Sequence, residues 1–180
     1  MKNESLRNYE KFDALNNAVV KALHKLYDSD RDLINCNQFQ DLKTVQKHVA
    51  ERAVAFRFGV YFQEFCKVNK NISIDMEYNR HICDPKLMKC KDGSEKGIVP
   101  DLIVHERRCD RNNLLVVEFK GWWCTNRTQD REKLRSLTNP DEAYRYRYGM
   151  LITFEKSLDE TKKNIEFYRA GKRDKSFLLC

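Results

Sequence analysis

The sequence holds no apolar run near 18 residues, so nothing in it reads as a transmembrane helix. It also lacks a positively charged start followed by an apolar stretch and a small-residue cleavage site, the pattern of a secretory signal. The final Phe177-Leu178-Leu179-Cys180 is not a prenylation box, because its cysteine is last instead of fourth from the end. These absences point to a cytoplasmic chain with no membrane partner. No C-x-x-C pair occurs among the seven cysteines, at 36, 66, 83, 90, 109, 124 and 180. An odd number without a secretory pattern favours reduced, mostly structural thiols over disulfides. Cys83 and Cys90, with Cys109 and Cys124 downstream, leave a zinc-stabilised interaction domain as a weaker alternative. No internal repeat, low-complexity segment or second domain is visible. The 180 residues therefore read as one domain, with residues 1–36 as a helical N-terminal extension.

What is present supplies one sizeable core. Hydrophobic residues make up 41% of the chain and aromatics 11%, which excludes a fully disordered chain. The net charge is +7, and residues 125–180 hold 13 basic against 9 acidic side chains. A basic excess on the C-terminal third suits a polyanion such as nucleic acid. Ordinary solubility charge explains it equally.

The first third has helical spacing. Residues 9–27 place Phe12, Leu15, Val19, Ala22, Leu23 and Leu26 on one face. A second helix is expected over 37–67, capped by Asn37, with its second half buried. It carries Val45, Val49, Ala53, Phe56 and Val60 on one stripe, and Val54, Ala55, Phe58, Phe62 and Phe65 beside it. The middle then switches to period two. Strands are expected at 72–78, 98–105, 114–121 and 149–154, with a polar loop over 83–97. The Leu-Leu-Val-Val run from Leu114 suggests a strand covered on both faces. A short helix fits 128–137. Ser157 caps a last helix through residue 170, with Gly171 just past its end. Residues 177–180 can add a short strand. The order ααβββαβα implies an α/β sandwich with a mixed four-stranded sheet flanked by helices.

Three charged positions stand out. Pro100-Asp101 lies in the second expected strand and Glu118-Phe119-Lys120 in the third. Alternate strand residues share a face, so Glu118 and Lys120 point the same way. Pairing of the two strands through the charged turn at 107–113 brings Asp101 across from one of them. Two carboxylates on an otherwise apolar face are hard oxygen ligands for a divalent cation such as Mg²⁺ or Mn²⁺. An adjacent lysine can orient a water or neutralise charge developing on phosphorus. A surface pair on an edge strand marked by Pro100 is the plainer alternative.

The residues Ile98-Val99-Pro100-Asp101 and Val116-Val117-Glu118-Phe119-Lys120 resemble the PD-(D/E)XK nuclease superfamily, over about residues 45–170. The resemblance implies a restriction-endonuclease-like core, αβββαβ, here with an extra N-terminal helix. It implies metal-dependent cleavage of nucleic acid, DNA more than RNA, by an endonuclease more than an exonuclease. Asp101, Glu118 and the backbone carbonyl of Phe119 would hold Mg²⁺ or Mn²⁺, with Lys120 catalytic. Glu51, on the helix before the first core strand, matches the glutamate the family tends to place there, as a catalytic residue and candidate metal ligand. A solvent-exposed Glu51 paired with Lys47 is the alternative. The Gln-x-x-x-Tyr signature of the RecB-like and lambda-exonuclease-like branch is absent, since Lys133 stands fourth after Gln129. Specificity would come from loops, a partner protein or a homodimer.

Further candidates surround this set. Arg127, Arg131, Lys133, Arg145 and Arg147 offer phosphate contacts, with Arg135 in the same stretch, and Trp122-Trp123 a stacking surface for an unpaired base. Gln129, Asp130 and Lys133 equally fit a solvated helix face, and a tryptophan pair at a strand end equally fits the core. His105 shares the Asp101 face, as a base or a structural histidine. Asp75 and Glu77 offer further carboxylates.

Overall fold

A computed structural model describes residues 2–34, 49–90 and 92–176. In chain order its elements are α1 (Lys2–Ser29), a short 3-10 turn at Arg31–Leu33, α2 (Glu51–Phe65), β1 (Ser73–Met76), β2 (Arg80–His81), β3 (Asp84–Pro85), β4 (Leu87–Lys89), β5 (Glu95–Gly97), β6 (Leu102–His105), β7 (Leu115–Gly121), α3 (Thr128–Thr138), β8 (Tyr148–Phe154), α4 (Leu158–Lys163), β9 (Glu166–Arg169) and β10 (Lys172–Asp174). The chain is α/β, with one mixed sheet flanked by helices. The sheet has six strands, against the four expected, in the order β1-β6-β7-β8-β9-β10, because the chain after α4 pairs on as β9 and β10 instead of staying helical. Only β7 and β8 run parallel, joined through α3, and the other neighbours are antiparallel.

Residue alternation on β7 sorts the two faces. Leu115, Val117 and Phe119 join the core beneath α1 and α2. Val116 joins the smaller core beneath α3, with Ile103, Leu134, Leu137 and Leu151. Coverage on both sides explains why β7 is apolar except at Glu118 and Lys120. Phe12, Leu15, Val19, Leu23 and Leu26 of α1 lie in the same core as the sheet.

Several expected boundaries move. The second helix does not run through 37–67: Val49 and Ala50 are extended and α2 begins at Glu51. The proposed cap Asn37, and Lys47, lie outside the described residues. Its buried side is Val54, Ala55, Phe58 and Phe62, whereas Phe56 is 62% exposed and Val60 is 41% exposed. Pro100 and Asp101 precede β6 instead of lying within it. The stretch 83–97, expected as a loop, holds β3, β4 and β5, which with β2 make two small hairpins. Ser157 does cap a helix, accepting from the Glu160 N–H, but α4 is a single short segment. The β9–β10 hairpin then turns at Ala170 and Gly171, both with positive φ. The stretch 177–180 lies outside the described residues. The small hairpins bring Lys86 under Tyr78, Tyr144 and Tyr146, and burial pushes its ammonium down to about 8.

No helix among the described residues is long and apolar enough to cross a membrane.

Candidate active site

The register Leu102↔Val117 ends the β6–β7 pairing just before Glu118. Beyond it, β7 keeps β8 on one side as far as Gly121, while its other edge has lost its strand partner. Two carboxylates take over that edge. Asp101 Oδ2 accepts from the Phe119 N–H at 2.8 Å, and Glu51 Oε2 accepts from the Gly121 N–H at 2.8 Å. In a strand, a residue's N–H and C=O share an edge, so the Phe119 carbonyl lies on the Asp101 side. Glu51 reaches this position because α2 starts there. Gly121 permits the close packing at this corner, since a Cβ on it would lie 2.3 Å from the Trp123 ring.

Glu118 and Lys120 face the opposite layer, as alternation requires, and meet α3. Lys120 Nζ sits 3.3 Å from Glu51 Oε1 and 3.3 Å from Asp130 Oδ2. Lys133 Nζ donates to Glu118 Oε2 and lies 3.7 Å from Asp130 Oδ1. The cluster thus joins four carboxylates to two ammoniums, a formal excess of two negative charges. Glu118 has no exposed surface, and its Oε1 has no hydrogen-bond partner.

The electrostatics follow from this packing. Burial pushes the Asp101 carboxyl up, against the Phe119 N–H, Lys133 and Lys120. Burial and the neighbouring Asp101 push Glu118 well above the usual carboxylate range, with Lys133 opposing. Burial works against the Lys120 ammonium, but Asp130 and Glu51 outweigh it and hold it above its ordinary value.

Asp101 also lines an open cleft of about 310 Å³, with Glu51, Arg52, Phe56, Met76 and Glu77 among its walls. Glu118 is fully buried and does not line this cleft. Among the described residues, no three His, Cys, Asp or Glu side chains stand together as a ready metal cage. Lys120 bridges Glu51 and Asp130, and Lys133 bridges Asp130 and Glu118. An orphaned buried carboxylate oxygen beside a second desolvated carboxylate is nevertheless a donor set that fits a hard divalent cation.

The remaining candidates disperse. Arg127 precedes α3 at the same end of the sheet, 3.9 Å from Glu155. Arg131 is tied to Glu166, whose carboxylate also accepts from the Tyr168 hydroxyl. Arg145 and Arg147 lead into β8, whose Tyr148 pairs with Leu115. They therefore lie at the far end of the parallel pair, about 20 Å of strand from Gly121. Arg145 is exposed, while Tyr144, Tyr146 and Tyr148 turn into the core. Trp122 packs on the core, donates from its indole to the Ile34 carbonyl at 3.3 Å and lies under Lys156. His105 donates to Asp75 at 2.9 Å, and Arg107 holds the same carboxylate. Asp75 is therefore engaged elsewhere, and Glu77 is the acid that lines the cleft, paired with Arg52 at 2.9 Å. The described cysteines are free thiols.

The sequence alone leaves Asp130 and Lys133 open between the site and a solvated helix face, with Lys133 also a candidate phosphate contact. The structure brings both into the cluster. Their i, i+3 spacing on the helix that follows β7 is the signal that pairs them.

Comparisons of the chain with protein-family models, curated proteins and solved structures found no match.

Proposed function

We propose that this chain is a metal-dependent nuclease of the PD-(D/E)XK superfamily, with a restriction-endonuclease-like core, acting on nucleic acid, DNA more than RNA, as an endonuclease. One observation carries the reading: Asp101, Glu118, Lys120 and Glu51 converge at the end of β7 around an excess of negative charge that includes an unpartnered buried oxygen. An unpaired buried charge costs several kcal/mol, so a buried carboxylate with a bare oxygen calls for a proton or a cation.

In this reading Asp101 and Glu118, with the Phe119 carbonyl, hold Mg²⁺ or Mn²⁺. When bound, such a cation polarises a phosphate oxygen and lowers the pKa of a coordinated water. Lys120, fixed between Glu51 and Asp130, aims its ammonium at the attacking water or at charge developing on the phosphoryl oxygens. Glu51 positions Lys120 and the edge of β7 together. Arg127, at the same end of the sheet, is the placed candidate for a phosphate contact.

The test is a panel of labelled single- and double-stranded DNA and RNA incubated with Mg²⁺, Mn²⁺ or EDTA. Cleavage that EDTA abolishes, and that Asp101→Asn removes together with Mn²⁺ binding, supports the reading. Retention of nucleic acid with no cleavage under any condition replaces it with a binding module of the same fold.

A further inference from the structure

Lys133 occupies the only oxygen of Glu118 that has a donor. Glu118 is fully buried, whereas the Lys133 side chain keeps 18% of its surface exposed. A second acceptor stands next to it: Asp130 Oδ1 is 3.7 Å away, one turn back on α3. A small rotation of a flexible four-carbon stem moves the ammonium from one carboxylate to the other.

We propose that Lys133 is a resident counter-ion of Glu118, which an incoming divalent cation displaces onto Asp130. The inference rests on the metal reading above and adds a control to that site. An ammonium on one oxygen of a carboxylate and a divalent cation on the other stand close enough to repel each other. Like charges at that separation repel strongly where water is excluded. Without the cation, Lys133 offsets part of the acid excess, so the empty site folds. With the cation, Lys133 passes to Asp130, which already holds Lys120. Cation affinity is then the affinity of the oxygens less the work of displacing the lysine. The lysine therefore sets the free-cation concentration at which the site fills.

The measurement is Mn²⁺ titration calorimetry on the full chain without nucleic acid, at fixed pH and salt. Lys133→Met should bind Mn²⁺ at least about tenfold more tightly than wild type, a change worth roughly 1.4 kcal/mol. Lys133→Arg keeps the charge and should stay within about threefold of wild type on the same scale. Asp130→Asn removes the receiving carboxylate and should bind more weakly. A merely structural lysine predicts the opposite sign, since its loss damages the site. Wild-type binding with K133M equal or weaker overturns the inference and leaves the metal reading standing. Binding to none of the proteins overturns both. If K133M does not fold, Asp130→Asn decides: affinity equal to or above wild type overturns the displacement.

Discussion

At one end of β6, Asp75 takes hydrogen bonds from His105 and Arg107, and both of its oxygens have donors. At the other end, Glu118 is more deeply buried yet has a donor on one oxygen only. Burial works against the Asp75 charge, but Arg107 and His105 outweigh it and hold that carboxyl below its usual range. Glu118 is pushed the other way. Glu166 repeats the closed arrangement, between Arg131, Arg173 and the Tyr168 hydroxyl. The difference teaches that buried charge alone does not mark a site in this fold. What marks it is a shortage of donors relative to acceptors, as in the cluster at the end of β7, where the Glu118 Oε1 has no donor.

Lys120→Ala should break the comparison most sharply. Single-turnover cleavage in Mg²⁺ should fall by a factor on the order of 10² or more, as for loss of one oxyanion-type donor. Affinity for nucleic acid, measured in Ca²⁺ at fixed salt, should change far less, because other basic residues supply most phosphate contacts. Fast cleavage by this variant removes Lys120 from the chemistry. Glu51→Gln comes next. It weakens the hold on Lys120 and the Gly121 N–H, and should lower cleavage by roughly tenfold with the fold intact, the scale of one charge-assisted hydrogen bond. Wild-type cleavage would make Glu51 an edge cap and nothing more.

Asp75→Asn, in the closed cluster, should leave cleavage unchanged. In urea at neutral pH it should cost about 1 kcal/mol of stability. The lowered Asp75 pKa fixes the sign in acid. The stability it contributes is present above the unfolded value of 3.8 and is lost as pH falls through the lower folded value. The gap between variant and wild type should therefore close in strong acid. A gap that persists there assigns the loss to something other than the charge.

The strand pattern explains which parts were legible. Period two and the charged hairpin placed Asp101 beside Glu118 and Lys120, because both signals are local. The run from Leu114 to Gly121 declared a strand covered on both faces. The break before Glu51 was not legible, since apolar residues continue through it at helical spacing. The β9–β10 hairpin was hidden because Glu166, Phe167, Tyr168 and Arg169 continue the helical pattern begun at Ser157. Arg145 and Arg147 follow the motif closely in sequence, yet the parallel β7–α3–β8 crossover returns the chain to the opposite end of the sheet. The roles of Asp130 and Lys133 depend on how α3 lies across β7, and Phe56 looks like core until the helix is seen to turn it outward. Those are tertiary facts, and no local spacing encodes them.

The sheet stops at β10, whose three residues are Lys172, Arg173 and Asp174. Its outer edge has no strand partner among the described residues. An unpaired edge invites another chain to add a strand, and a short, charged one discourages it. Any strand laid along β10 must accommodate two basic side chains, of which Arg173 is already drawn toward Glu166 at 3.6 Å. Two of the residues behind the basic excess of the C-terminal third, Lys172 and Arg173, therefore also guard against aggregation through this edge of the sheet.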